Sequence, residues 1–269
     1  MLPSILSFSN KNKANDVERS QIPDSATQNY FSYLPNESVL RSIFRDAYVI
    51  NKPLDRVGGD GYWIYNDKHL VFLVVFDCMG HGRLASMMTR IYIDHLQEII
   101  CANQEYDPAG ILAKIHQCLQ SQFEKKDNLQ LGIGADMAII KYDQQKISLQ
   151  YSGAKMDLFK VDKYGESTRI KACKRSLGTY FEYDRNYETI EVEFDKNDKF
   201  YLFSDGITDL FGGSKNKKLG LRGFTEILEG TSANYLNPDA EKSIITEKLT
   251  RWAGNKPRLD DMLLISFKP

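Results

Sequence analysis

The stretch LVFLVVFDCMGHG, residues 70–82, constrains the fold more than any other part of the chain. Its first seven residues are all apolar, which is typical of a strand buried on both faces. The run then reaches Asp77 and enters a turn rich in small residues. A buried carboxylate is costly unless it is hydrogen-bonded, paired with a cation or bound to a metal ion. Taken alone, Asp77 is best explained as a cap of the helix that follows.

The composition is that of an ordinary globular protein. Of the 269 residues, 42% are hydrophobic and 26% are charged, and the 35 Lys and Arg nearly balance the 36 Asp and Glu. The net charge of −1 gives no field that would favour nucleic acid. No apolar run is long enough to span a membrane, and the first residues lack the pattern of a secretory signal. We therefore expect a cytoplasmic protein whose four cysteines are reduced.

The order of the predicted elements indicates the fold class. Strands are predicted at about 46–51, 57–66 and 69–77, followed by helices at about 82–101 and 108–123. A second group of strands, two amphipathic helices and a closing strand, MLLISF, come afterwards. Elements of one type in runs favour an α+β fold of mainly antiparallel sheets packed with helix pairs. Residues 1–40 are predicted to be an extension, regulatory or partly disordered, and residues 41–269 a single domain.

Four further aspartates are candidates to join Asp77. Asp205 follows the strand-like FYLF by one residue, and Asp60 lies between glycines in VGGDGY. Asp260 and Asp261 stand directly before the closing strand. In antiparallel sheets the end of one strand and the start of another share an edge, so these carboxylates are predicted to meet at one rim. Clustered carboxylates repel one another, and oxygen-only donors select Mg²⁺ or Mn²⁺.

Four motifs in a fixed order carry a resemblance to a known family. VGGDGYWI, DCMGHGRLAS, FSDGITDLFGG and DDMLLISF resemble those of the SpoIIE-type branch of the PP2C (PPM) serine/threonine phosphatases, over about Arg45 to Phe267. Within that branch, SGAKMDLF is more similar to the SiaA-like phosphatases, although Leu263 stands where the family often has Thr. The resemblance implies an αββα sandwich, with a centre of two Mn²⁺ or Mg²⁺ ions between the sheets.

The resemblance also implies roles for individual residues. Asp77 would bridge the two ions, and Asp60 would sit at the second ion. The first ion would be completed by Asp205 and by the pair Asp260 and Asp261. Alignment of DDML with the last family motif favours Asp260 over Asp261 as the direct ligand of this pair. One further ligand would be the backbone carbonyl of Cys78.

For several other residues, the sequence allows both a functional and a purely structural role. His81 is a candidate for protonating the leaving oxygen, yet some similar enzymes lack a histidine there. Asp136 either faces the metal ions or forms a salt bridge at a strand edge. Lys155 and the pair Lys174 and Arg175 are candidates for binding the substrate phosphate, although isolated basic residues are more often simply solvated.

The implied activity is hydrolysis of phosphoserine or phosphothreonine by a metal-bound hydroxide. The expected substrate is a small regulatory phosphoprotein of a bacterial partner-switching pathway, of the SiaC kind or with an anti-anti-sigma (STAS) domain. The first 40 residues are expected to regulate or dimerise the protein and to take no part in the chemistry. Two alternatives stay open: another binuclear phosphoester hydrolase, and a weakly active homologue that serves as a binding module.

Overall fold

The computed structural model describes residues 30–80, 82–123, 134–178, 187–232 and 237–269. Two five-stranded antiparallel sheets face each other, and helices cover the outer face of each. The arrangement confirms the predicted α+β class with two sheets flanked by helix pairs. None of the helices in these ranges combines the length and apolar character needed to cross a membrane.

The two sheets are named here after their central strands. The β3 sheet has the strand order β2-β3-β4-β5-β8: Asp60–Asp67, Leu70–Cys78, Ala135–Asp143, Ser148–Ala154 and Ile190–Val192. The β12 sheet has the order β1-β12-β9-β6-β7: Arg45–Lys52, Met262–Lys268, Lys199–Phe203, Leu158–Val161 and Ser167–Ile170. A short hairpin, β10 (Phe211–Gly212) and β11 (Lys217–Lys218), lies apart from both.

The helices follow the predicted order. Their bounds are α1 Glu37–Ile43, α2 Gly82–Leu96, α3 Pro108–Phe123, α4 Asp205–Thr208, α5 Gly220–Ser232 and α6 Pro238–Ala253. Helix α3 has the predicted bounds because Asp107 accepts a hydrogen bond from the backbone N–H of Gly110 at 2.9 Å and Pro108 occupies the first turn. Beyond Leu96, the predicted helix over 82–101 continues as a π-helical segment, Gln97–Ala102.

Strand β3 shows why an apolar run without alternation fits this fold. Leu73 and Val75 belong to the core between the two sheets, whereas Phe72 and Phe76 pack under helices α2 and α3. Both faces of the strand are thus buried. A third core layer lies between the β12 sheet and helices α5 and α6. Asp77 occurs at the end of β3 on the same face as Leu73 and Val75, so its side chain faces the space between the sheets.

One part of the helix prediction is wrong. The apolar stripe of the predicted helix includes Leu84 and Met87, but their side chains are 47% and 62% exposed. The inward face of α2 is instead formed by Ala85, Met88 and Tyr92, which contact the core beside β3.

The described part of the predicted N-terminal extension packs against the domain. Residues 30–33 form a helical turn, and the buried Tyr30 hydroxyl donates a hydrogen bond to the backbone carbonyl of Asp60 at 2.6 Å. Leu34 and Leu40 are buried as well. The predicted boundary at residue 40 falls inside α1, and residues 30–40 lie against the domain core rather than outside it. Residues 1–29 lie outside the described residues.

Candidate metal centre

Three carboxylates stand side by side at the end of the β3 sheet. The strand register pairs Asp60 of β2 with Asp77 of β3, and Asp77 with Asp136 of β4. Residues directly opposite each other in antiparallel strands project from the same face. The predicted meeting of Asp60 and Asp77 at one rim is therefore present, and Asp136 lies beside them.

The β12 sheet contributes the second group of carboxylates. Asp205 begins helix α4, one residue beyond Ser204, which follows the end of β9, and Asp260 precedes β12, which pairs with β9. The two sheets are joined at this point, because the Ser204 hydroxyl donates a hydrogen bond to Asp60 Oδ2 at 2.6 Å. The same Ser204 oxygen accepts a hydrogen bond from the backbone N–H of Leu263 at 3.0 Å. The predicted rim thus contains residues from both sheets.

Asp261 has a different environment from its neighbour. Its two carboxylate oxygens accept hydrogen bonds from the backbone N–H groups of Leu54 and Gly59, each at 2.6 Å, and its side chain is buried. Gly58 allows this approach, since a Cβ there would lie 2.7 Å from Asp261 Oδ2. Asp261 therefore fixes the loop that carries Asp60. Asp260 differs, because its Oδ1 accepts a hydrogen bond from the backbone N–H of Asp261 at 2.9 Å, and it stays the predicted direct ligand of the pair.

Asp60 is held in an environment that disfavours its charge. Burial raises its pKa to about 8; the hydrogen bond from Ser204 opposes this shift, and the nearby charges of Asp261, Asp260 and Asp205 add to it. A carboxylate in such a place favours a proton or a cation. A divalent ion would allow it to ionise.

The charged forms of Asp77 and Asp205 are disfavoured in the same way. Burial raises the pKa of Asp77 well above its ordinary value, and the charges of Asp60 and Asp205 raise it further. Burial and then the charge of Asp260 raise the pKa of Asp205. Within the described part of the chain, no hydrogen bond or ion pair reaches the Asp77 carboxylate.

The donor set fits the predicted metal ions. It consists of carboxylate oxygens, the ligands of hard cations such as Mg²⁺ and Mn²⁺. Among the described residues, no three His, Cys, Asp or Glu side chains stand close enough together to hold a metal ion as they are placed. Mutual repulsion opposes closer approach of the carboxylates. The rim is thus an open set of anionic oxygens that a divalent cation would draw together.

Cys78 contributes to this edge through its backbone. Its side chain is buried toward the helices, and burial raises the pKa of its thiol well above the ordinary value. Its carbonyl faces Gly59, where a Cβ would come within 2.8 Å of the oxygen. Ligation of a metal ion by this carbonyl stays a prediction. The predicted proton donor, His81, lies outside the described residues.

A cleft of about 200 Å³ opens beside the rim. Its walls include Asp77 and Asp205, together with Asp136, Lys155 and Arg169. Asp136 forms an ion pair with Lys155 at 2.9 Å, which is the strand-edge salt bridge considered from the sequence. Sequence analysis missed Ser204, although its position directly before Asp205 in the SDG motif was a usable signal.

The chain matches known proteins over most of its length. The model of the family described as "Stage II sporulation protein E (SpoIIE)" matches residues 67–269. The chain is 23% identical over 181 residues to "Phosphoserine phosphatase RsbU" of Bacillus subtilis (strain 168), covering 65% of this chain and 49% of that protein. The chain thus spans about half the length of this curated relative.

Solved structures share the fold. The SiaA-PP2C domain of Pseudomonas aeruginosa is 26% identical, with a TM-score of 0.83 over 95% of this chain and 99% of that domain. A structure of the PP2C phosphatase domain and a fragment of the regulatory domain of SpoIIE from Bacillus subtilis is 18% identical, with a TM-score of 0.65 over 83% of this chain and 62% of that one. The fold is therefore the αββα sandwich of PP2C phosphatase domains, and the chain belongs to the SpoIIE family, in the SpoIIE-type branch of PP2C.

Proposed function

We propose that this chain is a metal-dependent phosphatase that removes phosphate from serine or threonine of a regulatory phosphoprotein. The observation that carries the proposal is the convergence of Asp60 and Asp77 of one sheet with Asp205 and Asp260 of the other. Paired with the family match, this rim supports a phosphoryl-transfer site rather than a purely structural charge cluster. The phosphoserine phosphatase RsbU is a relative that supports the substrate class.

Each residue of the rim has a distinct task in this proposal. Asp77, at the centre of the rim, would hold two Mn²⁺ or Mg²⁺ ions together with Asp60, Asp205 and Asp260. When bound, such ions polarise a water molecule and a phosphoryl oxygen. Asp261 and the Ser204 hydroxyl would hold the ligands in place from behind.

The environment of Cys78 argues against a covalent route. Its thiol is buried on the helix side of the β3 sheet, with a raised pKa, so it is neither accessible nor ionised. Attack by water therefore fits this site better than a cysteinyl-phosphate intermediate.

The finer identity of the substrate is also a proposal. From the family resemblance, we propose a small partner of the SiaC kind or one with an anti-anti-sigma (STAS) domain. The similarity to the SiaA-PP2C domain over nearly the whole of both chains agrees with this proposal. The β10–β11 hairpin exposes Lys215 and Lys217, whereas Lys218 pairs with Asp209 at 2.6 Å. Lys215 and Lys217 are therefore the lysines to test for recognition of the partner. Cytoplasmic location and dimerisation through the first 40 residues stay predictions.

Hydrolysis of a small aryl phosphate tests the activity. We expect release of phosphate with added Mn²⁺ or Mg²⁺, none with a chelator, and a loss of about 100-fold or more in Asp77→Asn and Asp205→Asn. Asp94→Asn, an exposed position paired with Arg90, is the matched control and should stay active. Hydrolysis that persists in chelator, or in both site variants, would contradict the proposal. A preference for phosphodiesters would point instead to another binuclear hydrolase.

A further inference from the structure

The cleft beside the metal rim is strongly anionic. Four of its lining residues are carboxylates, namely Asp77, Asp136, Asp157 and Asp205. A phosphate monoester is itself a dianion near neutral pH, so it must approach against this charge. Metal ions would neutralise the inner carboxylates, but the outer wall still needs a cation to receive the phosphoryl oxygens.

Two cations line this cleft among the described residues, and they differ in how they are held. Arg169 is bound twice by Asp157, through Nε at 2.6 Å and through the terminal nitrogen at 2.5 Å. This pairing fixes the guanidinium against the cleft wall through two of its five N–H donors. Lys155 makes one ion pair, with Asp136 Oδ2 at 2.9 Å, and its side chain is 52% exposed. An ammonium group has three donors, so two remain for a ligand.

The backbone holds Lys155 at the rim. Its φ is +60°, in the left-handed region that residues other than glycine rarely adopt. Its N–H donates to the carbonyl of Cys173 at 2.7 Å, and a parallel bridge joins it to Met137. A residue kept in this conformation is over-determined by its surroundings, a condition common at functional sites.

Asp136 places the Lys155 ammonium next to the metal rim. It is the cross-strand neighbour of Asp77, and its second oxygen accepts a hydrogen bond from the Ser176 hydroxyl at 2.5 Å. The hydrogen bond to Asp136 raises the pKa of Lys155, and the charges of Asp205 and Asp77 contribute in the same direction. The ammonium therefore stays charged near neutral pH.

We propose that Lys155 binds the phosphoryl group of the substrate, and that Asp136 and Ser176 position its ammonium for this contact. The inference rests on the proposed phosphatase function and adds the residue that receives the phosphate. Of the basic residues that the sequence offers for phosphate binding, the inference selects Lys155 over Lys174. Lys174 lines a different pocket, together with Lys171 and Glu188.

Binding of orthophosphate tests this role without requiring turnover. Calorimetry on the Mn²⁺-loaded protein should show orthophosphate binding weakened by about 10-fold or more in Lys155→Met, the usual scale for one charge-assisted hydrogen bond. The KM for an aryl phosphate should rise by a similar factor. Lys155→Arg should keep most of the affinity. Mn²⁺ binding, followed by electron paramagnetic resonance, should not weaken in any of these variants.

The matched control is Lys146→Met. Asp143 lies on β4, as Asp136 does, but at the opposite end of the strand. Lys146 pairs with Asp143 at 3.8 Å and does not line the cleft. It should bind orthophosphate as the unchanged protein does. If Lys155→Met loses the fold, Lys155→Gln carries the same test, since it removes the charge but keeps a donor for Asp136.

Equal orthophosphate affinity and equal KM in Lys155→Met and the unchanged protein would overturn the inference while leaving the phosphatase activity intact. Failure of the unchanged, Mn²⁺-loaded protein to hydrolyse any phosphomonoester would instead overturn the proposed function, and this inference with it. A drop in Mn²⁺ affinity that accounts for the whole loss would assign Lys155 to support of the metal site and would also overturn its phosphate role.

Discussion

The Ser204 hydroxyl donates a hydrogen bond to Asp60 Oδ2 at 2.6 Å and so joins the two sheets at the rim that carries the carboxylates. The same oxygen accepts from the N–H of Leu263 at 3.0 Å. One small side chain thereby fixes the end of β9, the start of β12 and the first residue of β2 relative to one another. Their spacing determines where the carboxylates of both sheets stand.

Removal of this hydroxyl should weaken both the fold and the site. Ser204→Ala leaves a buried backbone N–H and a buried carboxyl each without a partner, so the free energy of unfolding should fall by about 1–3 kcal/mol. Metal-dependent hydrolysis should fall as well, because Asp60 loses its orientation. Urea unfolding and the Mn²⁺ dependence of the rate measure the two effects. Ser152→Ala is the control, since this buried hydroxyl has no hydrogen-bond partner within the described residues.

Asp260 and Asp261 should respond differently to the same change. Asp261→Asn replaces an oxygen that accepts from Leu54 or Gly59 with an amide donor, so the protein should lose about 1–3 kcal/mol of stability. Asp260→Asn should keep the stability and lose metal affinity. Urea unfolding in chelator, together with Mn²⁺ titration, separates the two variants. The reverse result would show that Asp261 is the direct ligand.

The chelated protein should become less stable as the pH rises. The folded-state pKa of Asp60 is raised to about 8, whereas an aspartate in the unfolded chain titrates near 3.9. A group with a raised folded pKa contributes stability below its unfolded pKa, and that contribution is lost as the pH rises through the folded value. The raised pKa values of Asp77 and Asp205 act in the same direction.

Urea unfolding in chelator should therefore give a lower midpoint at about pH 8 than at about pH 5. Added Mg²⁺ should reduce or reverse this trend, because a bound cation favours the ionised carboxylates. Asp60→Asn should flatten the profile in chelator. A midpoint in chelator that rises steadily over this range would contradict the electrostatic description of the rim.

Truncation should separate the two parts of the N-terminal region. If the first 40 residues take no part in the chemistry, as the sequence predicts, a truncated protein starting near Ser38 should keep its activity. Such a truncated protein lacks Tyr30, whose hydroxyl donates a hydrogen bond to the Asp60 carbonyl, and the buried Leu34. A chain starting at residue 30 should keep metal-dependent hydrolysis of an aryl phosphate. One starting at Ser38 should unfold at lower urea concentration and be less active. Equal stability of the two chains would show that residues 30–37 contribute nothing to the domain.

Local sequence patterns were enough to predict several of the strands and helices. An unbroken apolar run indicates β3, and the capping Asp107 before Pro108 marks the start of α3. Contacts between distant segments lay beyond such signals. The bond between Ser204 and Asp60 spans 144 positions, and the pairing of Lys155 with Asp136 depends on the packing of β4 beside β5. The spacing of apolar residues in α2 could not show which of them the sheet would cover.

The central claim is that carboxylates from both sheets form one divalent-metal site. Direct binding of Mn²⁺ is the measurement that tests it best. Electron paramagnetic resonance titration of the folded protein should show bound Mn²⁺ that is lost or greatly weakened in Asp77→Asn and in Asp205→Asn, one variant from each sheet, and unchanged in the exposed control Asp94→Asn. Binding of Mn²⁺ by both site variants with the affinity of the unchanged protein would contradict the claim.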